Sequence, residues 1–193
     1  MKNPLLLKKA KFSLMLVAVA LGSAACSLPN KPVTQAAAVA SKPITDGEIL
    51  QIMSTVNEGE IKQARIAMER STNPAVREAA QRIITDHTAM DKQIASLSTS
   101  TGIKPDDSPL NSGLRMQANS IAENLTKLSG TKLDCTYFEK QAEQHALTVK
   151  TVRGQLMPAA NRPEVRSFLT ASLPALEHHQ QTAQAARSAL PAC

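Results

Sequence analysis

A chain of 193 residues can bury one sizeable core, and with no Trp, one Tyr and three Phe it suits helices better than sheets. The formal charge of +6 is not the footprint of a nucleic-acid binder. Four of the positive charges, Lys2, Lys8, Lys9 and Lys11, lie in a leader without acidic residues, so the remainder carries +2, and no basic stripe with interleaved aromatics occurs.

Residues 1–25 read as a secretory signal peptide. Lysines come first, then the apolar run Leu14–Leu21, then Gly22-Ser23-Ala24-Ala25. The competing reading, a short N-terminal transmembrane anchor, asks for a longer apolar stretch. Cys26 follows the small residues directly. The segment resembles a bacterial lipoprotein signal, in which such a cysteine is acylated and becomes the new N-terminus. Ser23 and Ala25 would equally suit ordinary signal peptidase. Parity separates the two outcomes: Cys26, Cys135 and Cys193 leave one odd thiol in an oxidising compartment, and lipidation of Cys26 leaves a pair. Several acyl chains on one residue anchor firmly. Ser27, where an Asp would argue for inner-membrane retention, favours the outer membrane by resemblance to lipoprotein sorting. The expectation is an exported, periplasm-facing protein held on outer-membrane lipid. Residues 26–44 are rich in Pro, Ala, Ser and Lys without period and read as a tether, roughly 50 Å when extended at about 3.1 Å per residue.

Residues 45–193 read as one helical bundle. Thr45 with Glu48 three later is a capping box, and a helix follows from about Asp46 to Arg70. Its inner stripe is Ile49, Ile52, Met53, Val56, Glu60, Ala64 and Ala67, while Glu48, Glu58 and Lys62 belong in solvent. Asn73 caps a second helix that Pro74 opens and Gly102 ends. Ser108-Pro109 starts a shorter helix to about Leu128, with a thin stripe that suits a crossover lying along the bundle. A third long helix runs from about Leu133 to Met157. The fourth is capped by Asn161 with Glu164 and continues to about Leu190, with Pro174 inside it. Two long helices, a crossover and two more long helices match the ferritin-like four-helix plan.

Each long helix carries one ionisable residue at the centre of its apolar stripe: Glu60, His87, His145 and His179. Counted along helices at about 1.5 Å per residue, all four fall roughly 18 to 28 Å from their own hairpin turns, near mid-height of rods about 39 Å tall. Two readings follow. One is a structural polar layer of imidazoles bonded to Glu60, to each other and to water. The other is a metal site, in which three neutral His and one carboxylate suit Zn²⁺, Cu²⁺ or Fe²⁺. The Glu-x-x-His spacing of di-iron bundles is absent from the sequence, as are Cys-x-x-Cys-His and Gly-x-Ser-x-Gly. Cys135 opens the third long helix and Cys193 lies just past the fourth. Antiparallel packing would bring them to one end, so a disulfide between them is expected.

Three stretches, VNEGEIKQARIAMERSTNPAVREAAQRIITDHTAM, LDCTYFEKQAEQH and LPALEHHQQTA, together resemble an exported bacterial family catalogued as a domain of unknown function and labelled predicted outer membrane protein. The resemblance covers roughly residues 45–190. It falls on Glu60, Asp86-His87, Asp134 with Tyr137, His145, and Leu173-Pro174 with His179. Leu133 and Gln180 depart from the family's usual residues. The resemblance implies a ferritin-like fold and an envelope location, and no activity. Two functions are therefore expected as alternatives: a membrane-tethered, non-enzymatic bundle with a polar central layer, or a periplasmic metal-binding or metal-dependent oxidoreductase-type protein.

Overall fold

The computed structural model describes residues 42–190 and 193, which belong to one unit, Ser41–Cys193. The leader, Cys26 and the tether as far as residue 41 lie outside the described residues. Those described form helices and loops, with no strand among them.

Helix α1 spans Asp46–Arg70. Its capping box is complete: the Glu48 N–H donates to Thr45 Oγ1 at 3.2 Å, and the Thr45 N–H donates to Glu48 Oε2 at 2.7 Å. That second bond folds Glu48 back onto the helix start. It is 8% exposed, against the solvated position its place in the sequence suggested. The Thr45 N–H also holds its carboxyl below the ordinary value. Helix α2, Pro74–Thr101, begins as its sequence implies, with Asn73 Oδ1 accepting from the Ala75 N–H at 3.0 Å. It stops at Gly102, whose φ of 75° is left-handed and suits glycine. Helix α3, Pro109–Thr126, is capped by Ser108 and ends two residues short of the expected Leu128.

Helix α4, Gly130–Thr151, opens three residues before the expected Leu133, because the Ser129 carbonyl already accepts the Leu133 N–H at 3.3 Å. It continues through a π-turn, Val152–Leu156, into a last turn, Met157–Ala159. Pro158 has no N–H for the carbonyl four residues back, and the wider turn makes room for its ring. Helix α5 spans Pro163–Ala189 with Pro174 inside. Asn161 does not cap it; Arg162 occupies that position without a side-chain cap. The Asp46 carboxylate instead accepts from the backbone N–H groups of Asn161 and Arg162, at 2.9 and 3.2 Å.

Those two bonds place the α4–α5 turn at the end of the bundle where α1 begins. At the other end, Ser71 in the α1–α2 turn donates to Asp134 near the start of α4, Oγ to Oδ1 at 2.6 Å. Helix α1 therefore runs up, α2 down, α4 down and α5 up. Helix α3 packs along α1 and carries the chain from the lower end back to the upper one. Its start is tied low, where the Asp106 N–H donates to the Gly47 carbonyl at 3.1 Å, and its end high, where Arg70 donates to the Leu128 carbonyl at 3.1 Å. A Cβ at Gly59 of α1 would lie 2.7 Å from the Ala118 Cβ of α3, so glycine sets how closely this crossover approaches.

The apolar core is in two parts. The lower part holds Ile49, Leu50, Met53, Met90, Val152, Val165 and Leu169 among others. The upper part holds Ala64, Val76, Ile83, Leu133, Tyr137 and Phe138. Side chains at mid-height between them are polar. Cys135 and Cys193 form a disulfide at the upper end, with Cα atoms 5.6 Å apart. No helix among the described residues is long and apolar enough to cross a membrane.

Candidate functional site

His87 on α2, His145 on α4 and His179 on α5 meet in the polar layer. They are 0%, 1% and 4% exposed. His145 Nε2 lies 3.3 Å from His87 Nε2 and 3.3 Å from His179 Nδ1. One nitrogen from each ring falls within 4.8 Å of the other two.

The outward nitrogens have partners that dictate where each ring carries its proton. His145 Nδ1 lies 2.9 Å from the Gln141 carbonyl oxygen, which only accepts, so Nδ1 donates. His179 Nε2 lies 2.8 Å from Asp86 Oδ2 and donates to that carboxylate. His87 is settled at one remove. Asn57 Nδ2 donates to Asp91 Oδ1 at 2.8 Å, which turns the amide oxygen toward His87 Nδ1, also at 2.8 Å, so Nδ1 donates. Each neutral ring thus presents a bare lone pair inward. Two of the three pairs of facing lone pairs are 3.3 Å apart and all three lie within 4.8 Å, so they repel one another unless a cation or a donating water lies between them.

A proton is a poor candidate for that cation. Burial pushes His145 and His179 down to about 4, and burial together with its two neighbours pushes His87 well below its ordinary value. The rings are therefore uncharged at neutral pH. A metal ion fits better. With metal–nitrogen bonds of about 2.0–2.1 Å in tetrahedral geometry, ligand nitrogens stand about 3.3–3.4 Å apart. Outward N–H groups bound to Asn57, Gln141 and Asp86 are the arrangement that orients imidazole ligands and raises their basicity.

Glu60, expected as the fourth member, is placed elsewhere. The α1 residue at the histidine level is Asn57, one turn earlier, and Glu60 is not among the clustered ligand atoms. It is 3% exposed and accepts from Gln141 Nε2, Oε2 at 2.6 Å. Burial raises its carboxyl to about 8, only partly offset by Gln141. A carboxyl that is mostly protonated at neutral pH is a weak ligand. Asn57 and Gln141 carry no ionisable group, and Asp91, a carboxylate, lies off the apolar stripe of α2. Asp86 did stand out through the Asp-His pair in the family resemblance. His178, beside His179, points to solvent.

A model of a family described as a domain of unknown function, DUF4142, matches residues 30–186. No curated protein matches the chain. A crystal structure of a DUF305 fragment from Deinococcus radiodurans is similar, with a TM-score of 0.65 and 17% identity, covering 74% of this chain and 95% of that one. At that identity the likeness speaks for the helical fold alone. The match over residues 30–186 settles the family: the chain is a member of DUF4142, a domain of unknown function.

Proposed function

We propose that this protein is an exported, ferritin-like metal-binding bundle that holds one divalent transition-metal ion, Zn²⁺, Cu²⁺ or Fe²⁺, through His87 Nε2, His145 Nε2 and His179 Nδ1. The observation that carries the reading is the convergence of three lone pairs whose protons all point outward. A purely structural layer would need a buried water donating to these lone pairs, or a proton shared between rings that burial keeps neutral. Three protein ligands leave a fourth position for water or a small molecule, the pattern of reactive rather than sealed sites. The up, down, down, up order with a crossover along α1 supports the ferritin-like plan. The leader supports export, and Cys26 after four small residues supports acylation and an outer-membrane anchor facing the periplasm.

The test is elemental analysis of the mature chain, purified without chelator and without a polyhistidine tag. One equivalent of a transition metal is expected, lost in His87→Ala, His145→Ala and His179→Ala and retained in His178→Ala. Metal absent from the unaltered protein, with no uptake on titration, would leave the structural layer as the reading.

A further inference from the structure

Three lone pairs that face one another inside a bundle need a way in for the ion they hold, and an entry path is as much a part of a metal site as its ligands. A cavity of about 260 Å³ between α2, α4 and α5 opens to the surface, and it is lined by His179 but by neither His87 nor His145. At about 30 Å³ per water, it has room for an ion that still keeps a shell of water. His179 is also the ring best able to turn aside. His87 is held by Asn57, which is fully buried, and His145 by the backbone carbonyl of Gln141. His179 is held by Asp86, whose side chain is 28% exposed, so water can replace the ring on that carboxylate.

His178 lines the same cavity and is exposed, with its ring centre 6.3 Å from that of His179. Its place is on the path and not at the end of it, since the clustered nitrogens belong to His87, His145 and His179. The charged groups lining the cavity, Glu78 and Arg82, are exposed and opposite in sign. Capture there therefore rests on the imidazole of His178 rather than on net charge. We propose that metal ions enter and leave the histidine site through this cavity: His178 binds the ion first and passes it to His179, which turns back to bring it to His145 and His87. Each nitrogen that binds displaces one water from the ion, and the oxidation state does not change. The inference rests on the metal reading of the three histidines. A residue that serves the path alone alters uptake and release by the same factor and leaves affinity as it was.

Zn²⁺ is the probe, with the full mature chain stripped by chelator. Uptake is followed by stopped flow against a zinc-responsive dye, release by transfer from the loaded protein to excess chelator, and affinity by competition. His178→Ala is expected to slow uptake and release alike by about tenfold, a change of about 1.4 kcal/mol in the barrier, with one equivalent still bound at unchanged affinity. His178→Glu, which restores a ligand, should recover the rates, and His178→Gln should not. Ala79→Leu, at a half-buried position of the cavity wall, should slow both steps by narrowing the path. The proposal is overturned if His178→Ala exchanges metal at the unaltered rate, if it loses affinity while uptake is unchanged, or if His178→Gln recovers the rates as well as His178→Glu. It is overturned equally if a folded Ala79→Leu protein exchanges metal unchanged. His178 is exposed, so its replacement leaves the core alone and decides the matter even if Ala79→Leu fails to fold. One equivalent of metal with unaltered rates would sink this inference alone, whereas no metal on the unaltered protein would sink the metal reading with it.

Discussion

Asn57 donates to the Asp91 carboxylate at 2.8 Å, and that bond determines which nitrogen of His87 carries a proton. Asp91 has no direct bond to the ring. It acts by holding the amide with its oxygen inward, so that His87 Nδ1 must donate and Nε2 must face His145.

Removing that orientation should weaken metal binding without removing a ligand. Asn57→Val is expected to lower Zn²⁺ affinity by about 10–100-fold, the usual cost of losing an outer partner of a ligating histidine. Asp91→Asn should fall at the lower end of that range, because an amide there can itself accept or donate and frees Asn57 to turn over. Competition against a chromophoric chelator measures both.

Metal-free protein should be most stable near pH 6.5. His145 and His179 are lowered from 6.5 to about 4, so the unfolded chain binds more protons than the folded one between those values. Their contribution is complete above 6.5 and is lost as pH falls toward 4. Glu60 is raised from 4.5 to about 8, so its contribution is complete below 4.5 and is lost as pH rises through 8. Below 6.5 the histidines outnumber the carboxyl and stability climbs with pH; above 6.5 Glu60 acts alone and stability falls. Thermal unfolding in the presence of chelator should show this maximum, and Glu60→Gln should remove the fall between pH 6.5 and 8.

Two glycines should answer oppositely to alanine. At Gly59 the new Cβ would sit 2.7 Å from Ala118, forcing α3 away from α1, so Gly59→Ala should destabilise by about 1–3 kcal/mol. At Gly113, inside α3, a Cβ meets nothing within 4 Å. Gly113→Ala should stabilise by about 0.5–1 kcal/mol through helix propensity. Denaturant midpoints of the two variants check the signs.

Opening the Cys135–Cys193 disulfide frees a loop of 58 residues, worth about 4 kcal/mol in the chain-entropy account. Reduction, or a Cys135→Ser and Cys193→Ser double variant, should lower the unfolding temperature while leaving metal stoichiometry unchanged. The bond lies at the upper end of the bundle, away from the mid-height histidines.

The helices and the three imidazoles were legible in the sequence because both rest on a 3.6-residue period. A histidine at the centre of an apolar stripe must point inward. The level on α1 was also written there, but in a residue without charge. Asn57 and His87 are each fifteen residues from Thr72, on opposite arms of the same hairpin, whereas Glu60 is three residues nearer the turn. Ranking by ionisable character favours Glu60; register favours Asn57. Asp91 was hidden for a different reason. It is half-buried, it sits off the stripe, and it acts through an amide on another helix. Asn161 has the right side chain to cap α5, yet Arg162 holds that position without a side-chain bond. The Asp46 carboxylate, 115 residues away, takes the backbone donors of that turn instead.

Proton placement on the three rings is the most direct measurement. In metal-free protein, long-range ¹H–¹⁵N correlation spectra at neutral pH should show His87 and His145 protonated on Nδ1 and His179 on Nε2. Addition of one equivalent of Zn²⁺ should shift only the three inward nitrogens. A proton on His87 Nε2, His145 Nε2 or His179 Nδ1, or a doubly protonated ring among them, would contradict the account.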